Sequence, residues 1–280
     1  MGRTHGITIL LNRRDVYPDT DRHLIWRMVP FWRDLGIGVT VVKGSGNALN
    51  PDDLLIPHVD LTVVPPDYQR LIQSAPRVLN RNLNDISKRR ISRNLVLATD
   101  GFEGPVIVKT NANCGGIPEY VGAGLGGKIL AHVRPLFERS RIRRIAPGKY
   151  PVYATKREVP DAVWSDPNLV VEKFIPEREG DYYCLRACFF LGDVVLNRRI
   201  YSRSKIIKGN AVEYSEPVEV PPAVHQWREE TGFQYGKLDY VLLEGVVHVL
   251  DANKTPGLVG DEGINVRIAE KLSKGIERYL

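Results

Sequence analysis

The stretch from Tyr235 to Gly257, YGKLDYVLLEGVVHVLDANKTPG, constrains the fold more than any other part of the chain. Two apolar runs, Leu238 to Leu243 and Val246 to Leu250, flank Glu244-Gly245, a pattern that predicts a β-hairpin. Asp239 falls in the first strand, while Asp251 and Asn253, at the end of the second, are two apart and share a face. Antiparallel pairing brings the three side chains together. Two carboxylates and an amide oxygen on an apolar framework suit a hard cation such as Mg2+ that also holds phosphate oxygens. A surface hairpin that merely carries Asp and Asn fits the same residues, so the choice rests on the remaining chain.

With 280 residues, 43% of them hydrophobic and 26% charged, the chain has the composition of a globular protein with one large domain or two small ones. The apolar run near the start, GITILL, is too short to span a bilayer, and no small-residue cleavage site follows it; a cytoplasmic protein without membrane association is expected. Three cysteines, Cys114, Cys184 and Cys188, form no CxxC pair, which argues against a disulfide framework and a zinc site. The net charge of +6 favours anionic partners. Basic clusters occur at Lys88 to Arg90, Arg139 to Arg144 and Arg198 to Lys208. They lack the interleaved aromatics of a single-strand platform, so nucleic acid is not the expected partner. The Arg139 run reads as a solvated face, and parts of the other two as phosphate contacts.

Taken in order, residues 6 to 11 read as a buried strand, followed by an amphipathic helix with Leu24, Ile25, Met28, Val29, Trp32 and Leu35 on one side. Gly36 ends that helix and Gly38 to Val42 is a second strand. Short apolar runs at Leu61 to Val64 and Arg77 to Leu79 complete a small open α/β sheet. Asn12, Arg13, Arg14 and Asp15 follow the first strand, where ligands of such sheets bind; a charged connecting loop is the equal alternative.

A helix over residues 84 to 97 would carry Lys88, and GPVIVKT is a strand ending near Lys109, followed by Asn111, Asn113, Cys114, Gly115 and Gly116. One lysine and a small-residue loop with exposed N–H groups suit phosphates. GAGLGG at 122 to 127 is neither a Walker motif nor a dinucleotide fingerprint and reads as a turn. A helix is expected over 128 to 139, and a short strand over Pro151 to Thr155. In LVVEKFIPEREG, a strand closes at Val171, Glu172 to Ile175 form a linker whose backbone can read an adenine edge, and Glu179 lies one turn on. Beyond come a hairpin around Gly192-Asp193, a basic loop with Arg203, Lys205 and Lys208, a helix around Trp227, the opening hairpin, and a last helix from about Ile264 to Tyr279.

With Lys88, the VIVK strand, the EKFI linker and the LDANKTPG segment in this order, the chain resembles the ATP-grasp superfamily over roughly residues 80 to 280. The likeness is to the carboxylate-amine ligase type, in the D-alanine ligase, glutathione synthetase and RimK-like group. It implies an α/β (α+β) ATP-grasp fold: a pre-ATP-grasp α/β domain over 1–83 and the grasp domain over 84–280, with an inserted N-lobe about 98–172 and a C-lobe about 173–280. The ligands implied are ATP and Mg2+. Lys88 and Lys109 would contact ATP phosphates, Asn111 to Gly116 (including Asn113, Gly115 and Gly116) would be a mobile flap, and Glu172 with the Lys173, Phe174 and Ile175 backbone would clamp adenine. Glu179 would hold ribose, Lys205 would be a further phosphate lysine, and Asp239, Asp251 and Asn253 would hold magnesium. Lys237 matches a position that steadies the acyl phosphate. Asp251 stands where the family more often has Glu, and Cys114 is unusual in the flap, where it reads as a small buried filler or as a residue lining the flap.

The implied chemistry is ATP-dependent activation of a carboxylate as an acyl phosphate, then attack by an amine to form an amide, with ADP released. Lys237, Arg199 and Lys205 are the candidate catalytic cations. Arg13, Arg14, Arg186, Arg199 and Arg203 are candidates for an anionic substrate. The expected partners are a small carboxylic acid and an amine, such as amino acids or peptides, with a homodimer as the default assembly. A kinase of the same fold and a binding protein without turnover are the alternatives.

Overall fold

The computed structural model describes residues 6–15, 23–116, 118–119, 145, 149–258 and 261–280. The GAGLGG turn, the helix expected over 128–139 and the Arg139–Arg144 run lie outside the described residues. Strands are numbered β1 to β12 in chain order.

Three parallel strands open the chain: β1 (Ile7–Leu11) lies between β2 (Val39–Lys43) and β3 (Leu54–His58). β1 is buried along its whole length, as a strand covered on both faces requires, and its one polar residue, Thr8, donates to Asp53 Oδ2. The helix Leu24–Asp34 buries Leu24, Ile25, Met28, Val29 and Trp32, but Leu35 lies beyond its end and is 59% exposed. Gly36, at φ +76°, turns the chain out of the helix.

The third strand differs from the expectation. It is Leu54–His58, while Leu61–Val64 and Arg77–Leu79 contribute single bridges, Val63 with Asp85 and Val78 with Leu55. Pro57 argues against a strand in the sequence because it cannot donate to a ladder. Leu55 exchanges hydrogen bonds outward with Arg77 and Leu79. Alternation then points the Pro57 nitrogen to the same outer side, away from β1, where no donor is needed.

The helix expected over 84–97 shrinks to Lys88–Ile91. Polar side chains capture the backbone on either side: the Ser87 N–H donates to Asp85 Oδ1 and the Asn94 N–H to Ser92 Oγ. Asn94 then accepts from the Lys173 N–H, and the Val96 N–H donates to Val171, so the segment runs beside a strand instead of coiling.

A small antiparallel sheet follows, in the order β5 (Val152–Tyr153), β4 (Val106–Thr110), β6 (Leu169–Lys173). The largest sheet runs β10 (Tyr214–Pro217), β9 (Val194–Ser202), β8 (Tyr182–Leu191), β11 (Tyr235–Leu243), β12 (Val246–Asn253), with β7 (Glu177–Glu179) also paired to β8. The β11–β12 hairpin forms as its sequence predicts. Glu244 and Gly245 both take positive φ, 51° and 79°, the conformation a two-residue turn of this kind demands.

Ile7, Trp32 and Leu54 share one core with Phe189, Leu191, Tyr235, Ile268 and Leu272, so hydrophobic packing continues across the expected boundary near residue 83. Asn80 ties the two regions by polar contacts: its side chain accepts from the Gln234 and Tyr235 N–H groups and donates to the Tyr235 carbonyl. The last helix spans Glu262–Ser273, capped by Asp261 on the Ile264 N–H, and tightens to a 3-10 turn over Lys274–Tyr279. Val266, on this helix, is 43% exposed.

Candidate active site

The register of β11 against β12 places Asp239 directly opposite Asp251 and Lys237 directly opposite Asn253. Tyr240 then faces Val249, which leaves Leu250 as the extra residue of a bulge. A bulge lets successive side chains reach one side, and Leu250 and Asp251 do both line the adjoining cleft, together with Asp239 and Val241. This cleft, about 830 Å³ to its open mouth, lies between the β5–β4–β6 sheet and the large sheet.

Cations dominate its walls. Lys88, Lys109, Lys173, Lys205 and Lys208 line the cleft, against the carboxylates Glu177, Asp239 and Asp251. Lys88 is nearly fully buried and its Nζ lies 3.3 Å from Asp251 Oδ1. Burial opposes the charge of Lys88, yet Asp251, Tyr150 and Glu172 outweigh it and raise its pKa. Burial likewise pushes the Asp251 carboxyl up, and Lys88, Lys109, Lys208 and Lys237 outweigh that push and hold it below its usual value. Lys237 Nζ sits 3.0 Å from Asp239 Oδ1; burial lowers its pKa, but Asp239 and Asp251 carry it above the ordinary lysine value.

Lys173, Phe174 and Ile175 line the cleft as expected. The Lys173 and Phe174 N–H groups already donate to Asn94 and Pro105, at 2.8 Å each. The Ile175 N–H makes no hydrogen bond among the described residues and is the donor left for a ligand edge.

Several expected residues stand elsewhere. Glu172 belongs to β6, is 0% exposed, and pairs with Lys109 at 2.6 Å, its diagonal neighbour across the β4–β6 register. It neutralises a cleft lysine and does not line the cleft. Glu179 is exposed and paired with Arg199; Glu177, two residues earlier and 5% exposed, is the carboxylate that reaches the cleft. Glu177 accepts from Arg186 at 2.9 Å and from the Leu242 N–H at 2.8 Å, with Arg199 Nε 2.8 Å away. Arg199 and Arg186 therefore serve these carboxylates and are not free for a substrate anion. Arg203 faces Glu213 at 3.5 Å.

Asn253 Oδ1 accepts from the Thr255 N–H at 2.9 Å and from its hydroxyl at 3.3 Å, an Asx turn that occupies the expected metal-binding oxygen. The Asn111–Gly116 loop is anchored: the Asn111 N–H donates to Asn168, the Asn113 N–H to Thr62 Oγ1, and Asn111 accepts from Lys88 and Arg89. Cys114, Gly115 and Gly116 adopt φ of 46°, 66° and 76°, and none of them lines the cleft. Cys114 is exposed and is no core filler. Asn12 to Asp15 form a self-bonded turn at the end of β1, outside the cleft, with the Asn12 N–H donating to Asp15 Oδ2.

Glu177 and Tyr150 have no role in the sequence reading, and Lys208 enters it only as a member of the basic loop. For Lys208 the signal was present in the basic loop, which also carries Lys205. Tyr150 comes from a segment with no motif.

Among the described residues no group of three or more His, Cys, Asp or Glu side chains could hold a metal without other ligands. The pair Asp239 and Asp251 nonetheless fits magnesium, which takes one or two carboxylates and draws the rest of its shell from phosphates and water. Asp239 Oδ1 is buried with the Lys237 ammonium 3.0 Å away, and a carboxylate oxygen with one such partner keeps a second lone pair for an ion. Five lysines around two opposed carboxylates can thus hold a polyanion together with a hard divalent cation.

No family model and no curated protein matches the sequence. Solved structures do. The chain is similar to a D-alanine–D-alanine ligase from Bacillus anthracis at 11% identity and a TM-score of 0.49, over 98% of this chain and 97% of the other. It is similar to a RimK domain ATP-grasp protein from Sphaerobacter thermophilus at 15% identity and 0.48, over 96% and 99%. It is also similar to a RiPP-associated ATP-grasp ligase from Chryseobacterium gregarium, solved with ADP and a leader and core peptide, at 12% and 0.48, over 96% of each chain. At these values the likeness is distant, and the reading below is carried by the residues of the cleft. Among the described residues no helix is long and apolar enough to cross a membrane.

Proposed function

We propose that the protein is an ATP-dependent, ADP-forming ligase that joins a carboxylate to an amine. The observation that carries this reading is the placement of Asp239 opposite Asp251 in a cleft whose other walls supply five lysines. In this reading Lys88, Lys109 and one lysine of the 203–208 loop contact the phosphates, and the Ile175 N–H with the apolar wall of Ile107, Val241 and Leu250 receives the base. Glu177 faces the sugar, in place of Glu179. Asp239 and Asp251 would hold Mg2+, which when bound would offset phosphate charge.

A carboxylate is a poor electrophile because its oxygen does not leave. Its oxygen attacks the terminal phosphorus of ATP, the bond to ADP breaks, and an acyl phosphate forms. The amine nitrogen then attacks the acyl carbon, phosphate departs with the bonding pair, and the nitrogen loses a proton. The lysines neutralise charge that moves from ATP to the leaving phosphate, and Lys237, held by Asp239, stands two residues along the same strand face to do so. The acid and the amine would be small molecules or peptide termini.

The test is ATP consumption with magnesium against a panel of carboxylic acids and amines, separating ADP from AMP and weighing products. ADP and phosphate formed only with both acid and amine, with an amide mass, is the expected result. ADP accompanied by a stable phosphorylated acceptor would replace the ligase with a kinase.

A further inference from the structure

β12 is an edge strand of the large sheet, and a second cleft opens beside it, walled by β12, the helix Pro222–Thr231, Arg93, Asn94 and Lys173. This cleft shares only Lys173 with the lysine-rich one. The Val249 carbonyl accepts from the Asn94 side-chain amide at 2.9 Å, so Val249 and, by alternation, Val247 turn their backbone groups away from β11. The Val247 N–H and C=O and the Val249 N–H thus face the cleft, and among the described residues no strand pairs with them. The Glu244-Gly245 turn ends this open edge on one side and Asn94 ends it on the other, which leaves room for one extended residue and the amide next to it.

Side chains complete the site. Asn94 donates through Nδ2, so its Oδ1 is the acceptor that faces His248 Nδ1 at 3.2 Å. A carbonyl oxygen cannot donate; the His248 proton is therefore on Nδ1, and the Nε2 lone pair is open to a ligand. Burial, and then the Lys173 charge, hold the His248 pKa below its usual value, which keeps the ring neutral at pH 7. Glu230 is taken by Arg93 at 2.6 Å and by Gln226 at 2.9 Å. Lys173 lies 5.2 Å from the Phe102 ring centroid and makes no ion pair among the described residues, so it is the charge left for an anion. Trp227 and Val246 supply an apolar wall.

We propose that this cleft binds a small N-acylated amino acid. Its carboxylate would meet Lys173, its amide C=O and N–H the β12 edge and His248 Nε2, and its apolar side chain Trp227 and Val246. Charge complementarity and an edge too short for a longer strand select this class.

The test is titration of N-acetylleucine into the full chain without nucleotide, followed by nuclear magnetic resonance of backbone amides and of the Trp227 indole N–H, the latter identified by its loss in Trp227→Phe. A ligand of this size binds at about millimolar strength, with saturable shifts at Val247, Val249 and Trp227. The uncharged N-acetylleucine amide should bind at least about tenfold more weakly, the scale of a hydrogen bond to a charged group. Lys173→Met should weaken the acid by the same factor and leave the amide unchanged, a comparison that a merely structural loss would not produce. His248→Phe keeps a ring without the acceptor and should weaken both ligands about threefold or more. No saturable shift up to about 20 mM, equal binding of acid and amide, or shifts confined to the lysine-rich cleft overturns the proposal. Binding of N-acetyl-alanyl-leucine more than about tenfold tighter would make a peptide end the ligand and overturn the single-residue assignment. Because no nucleotide is present, failure here leaves the ligase reading standing.

Discussion

Glu172→Gln should destabilise the fold by about 3–5 kcal/mol, the cost of removing one partner of a buried ion pair. The Glu172 side chain is 1% exposed, that of Lys109 is 10% exposed, and their charged atoms are 2.6 Å apart. At an effective dielectric near 20, charges at that spacing attract by about 6 kcal/mol before desolvation is counted. Glutamine preserves the shape and removes the charge, so the loss isolates the uncompensated Lys109 ammonium from any cavity. Slight access of Lys109 to the cleft lets it recover some hydration, which keeps the effect below the full Coulomb value. The double variant Glu172→Gln with Lys109→Met removes both charges and should return to within about 1–2 kcal/mol of wild type, although it should bind nucleotide poorly. Equilibrium urea denaturation followed by tryptophan fluorescence reads all three stabilities. A single variant costing under about 1 kcal/mol, or a double variant as unstable as the single, would refute the assignment of Glu172 as the counter-ion of Lys109.

Asp251→Asn should weaken magnesium-dependent ATP binding by at least about a hundredfold, measured by calorimetry with and without EDTA, since hydrogen bonds and ion contacts to charge are lost together. Because the folded Asp251 carboxyl is held below its unfolded value, its stabilising contribution is complete above the unfolded pKa and is lost as pH falls through the folded one. Acid denaturation below about pH 4 should therefore be shallower in Asp251→Asn than in wild type. Lys254 is buried, and burial pushes its pKa down to about 8 against the pull of Asp60, Asp85 and Glu119. The unfolded chain then binds the extra proton between that value and the ordinary lysine range, so wild-type stability should rise from pH 8 to 10 by about 2–3 kcal/mol relative to Lys254→Met in parallel urea titrations. Gly275→Ala would set a Cβ 1.9 Å from the Leu191 carbonyl oxygen and should lower stability by about 2 kcal/mol or more, read as a lower urea midpoint.

Local pattern made the strands of the large sheet legible: alternation, apolar runs and the Glu244-Gly245 and Gly192-Asp193 turns speak directly about backbone conformation. The opposition of Asp239 and Asp251 followed from that hairpin, because register links residues a few positions apart. β3 was hidden by Pro57, whose penalty vanishes at a position bonded outward, a fact that depends on neighbours remote in sequence. The segment around Lys88 looked helical by composition, while its hydrogen bonds go to residues near 171 and 173. At the site, spacing favoured Glu179, but strand alternation does not say which of β7's carboxylates will meet Arg186 and face the cleft. Asn253 has the residue type of a metal ligand, but the Thr255 N–H two residues on competes for its oxygen, and that Asx turn is a local signal in the sequence. Tyr150 could not have been found, since only the fold brings it beside Lys208.

The most direct test of the central claim is calorimetric titration of ATP into wild-type protein and into Asp239→Asn with Asp251→Asn, each with magnesium. The account predicts one nucleotide bound per wild-type chain, an affinity that collapses on adding EDTA, and no measurable magnesium dependence in a folded double variant. Equal, magnesium-independent binding to both proteins, or no binding to the wild type, would contradict it.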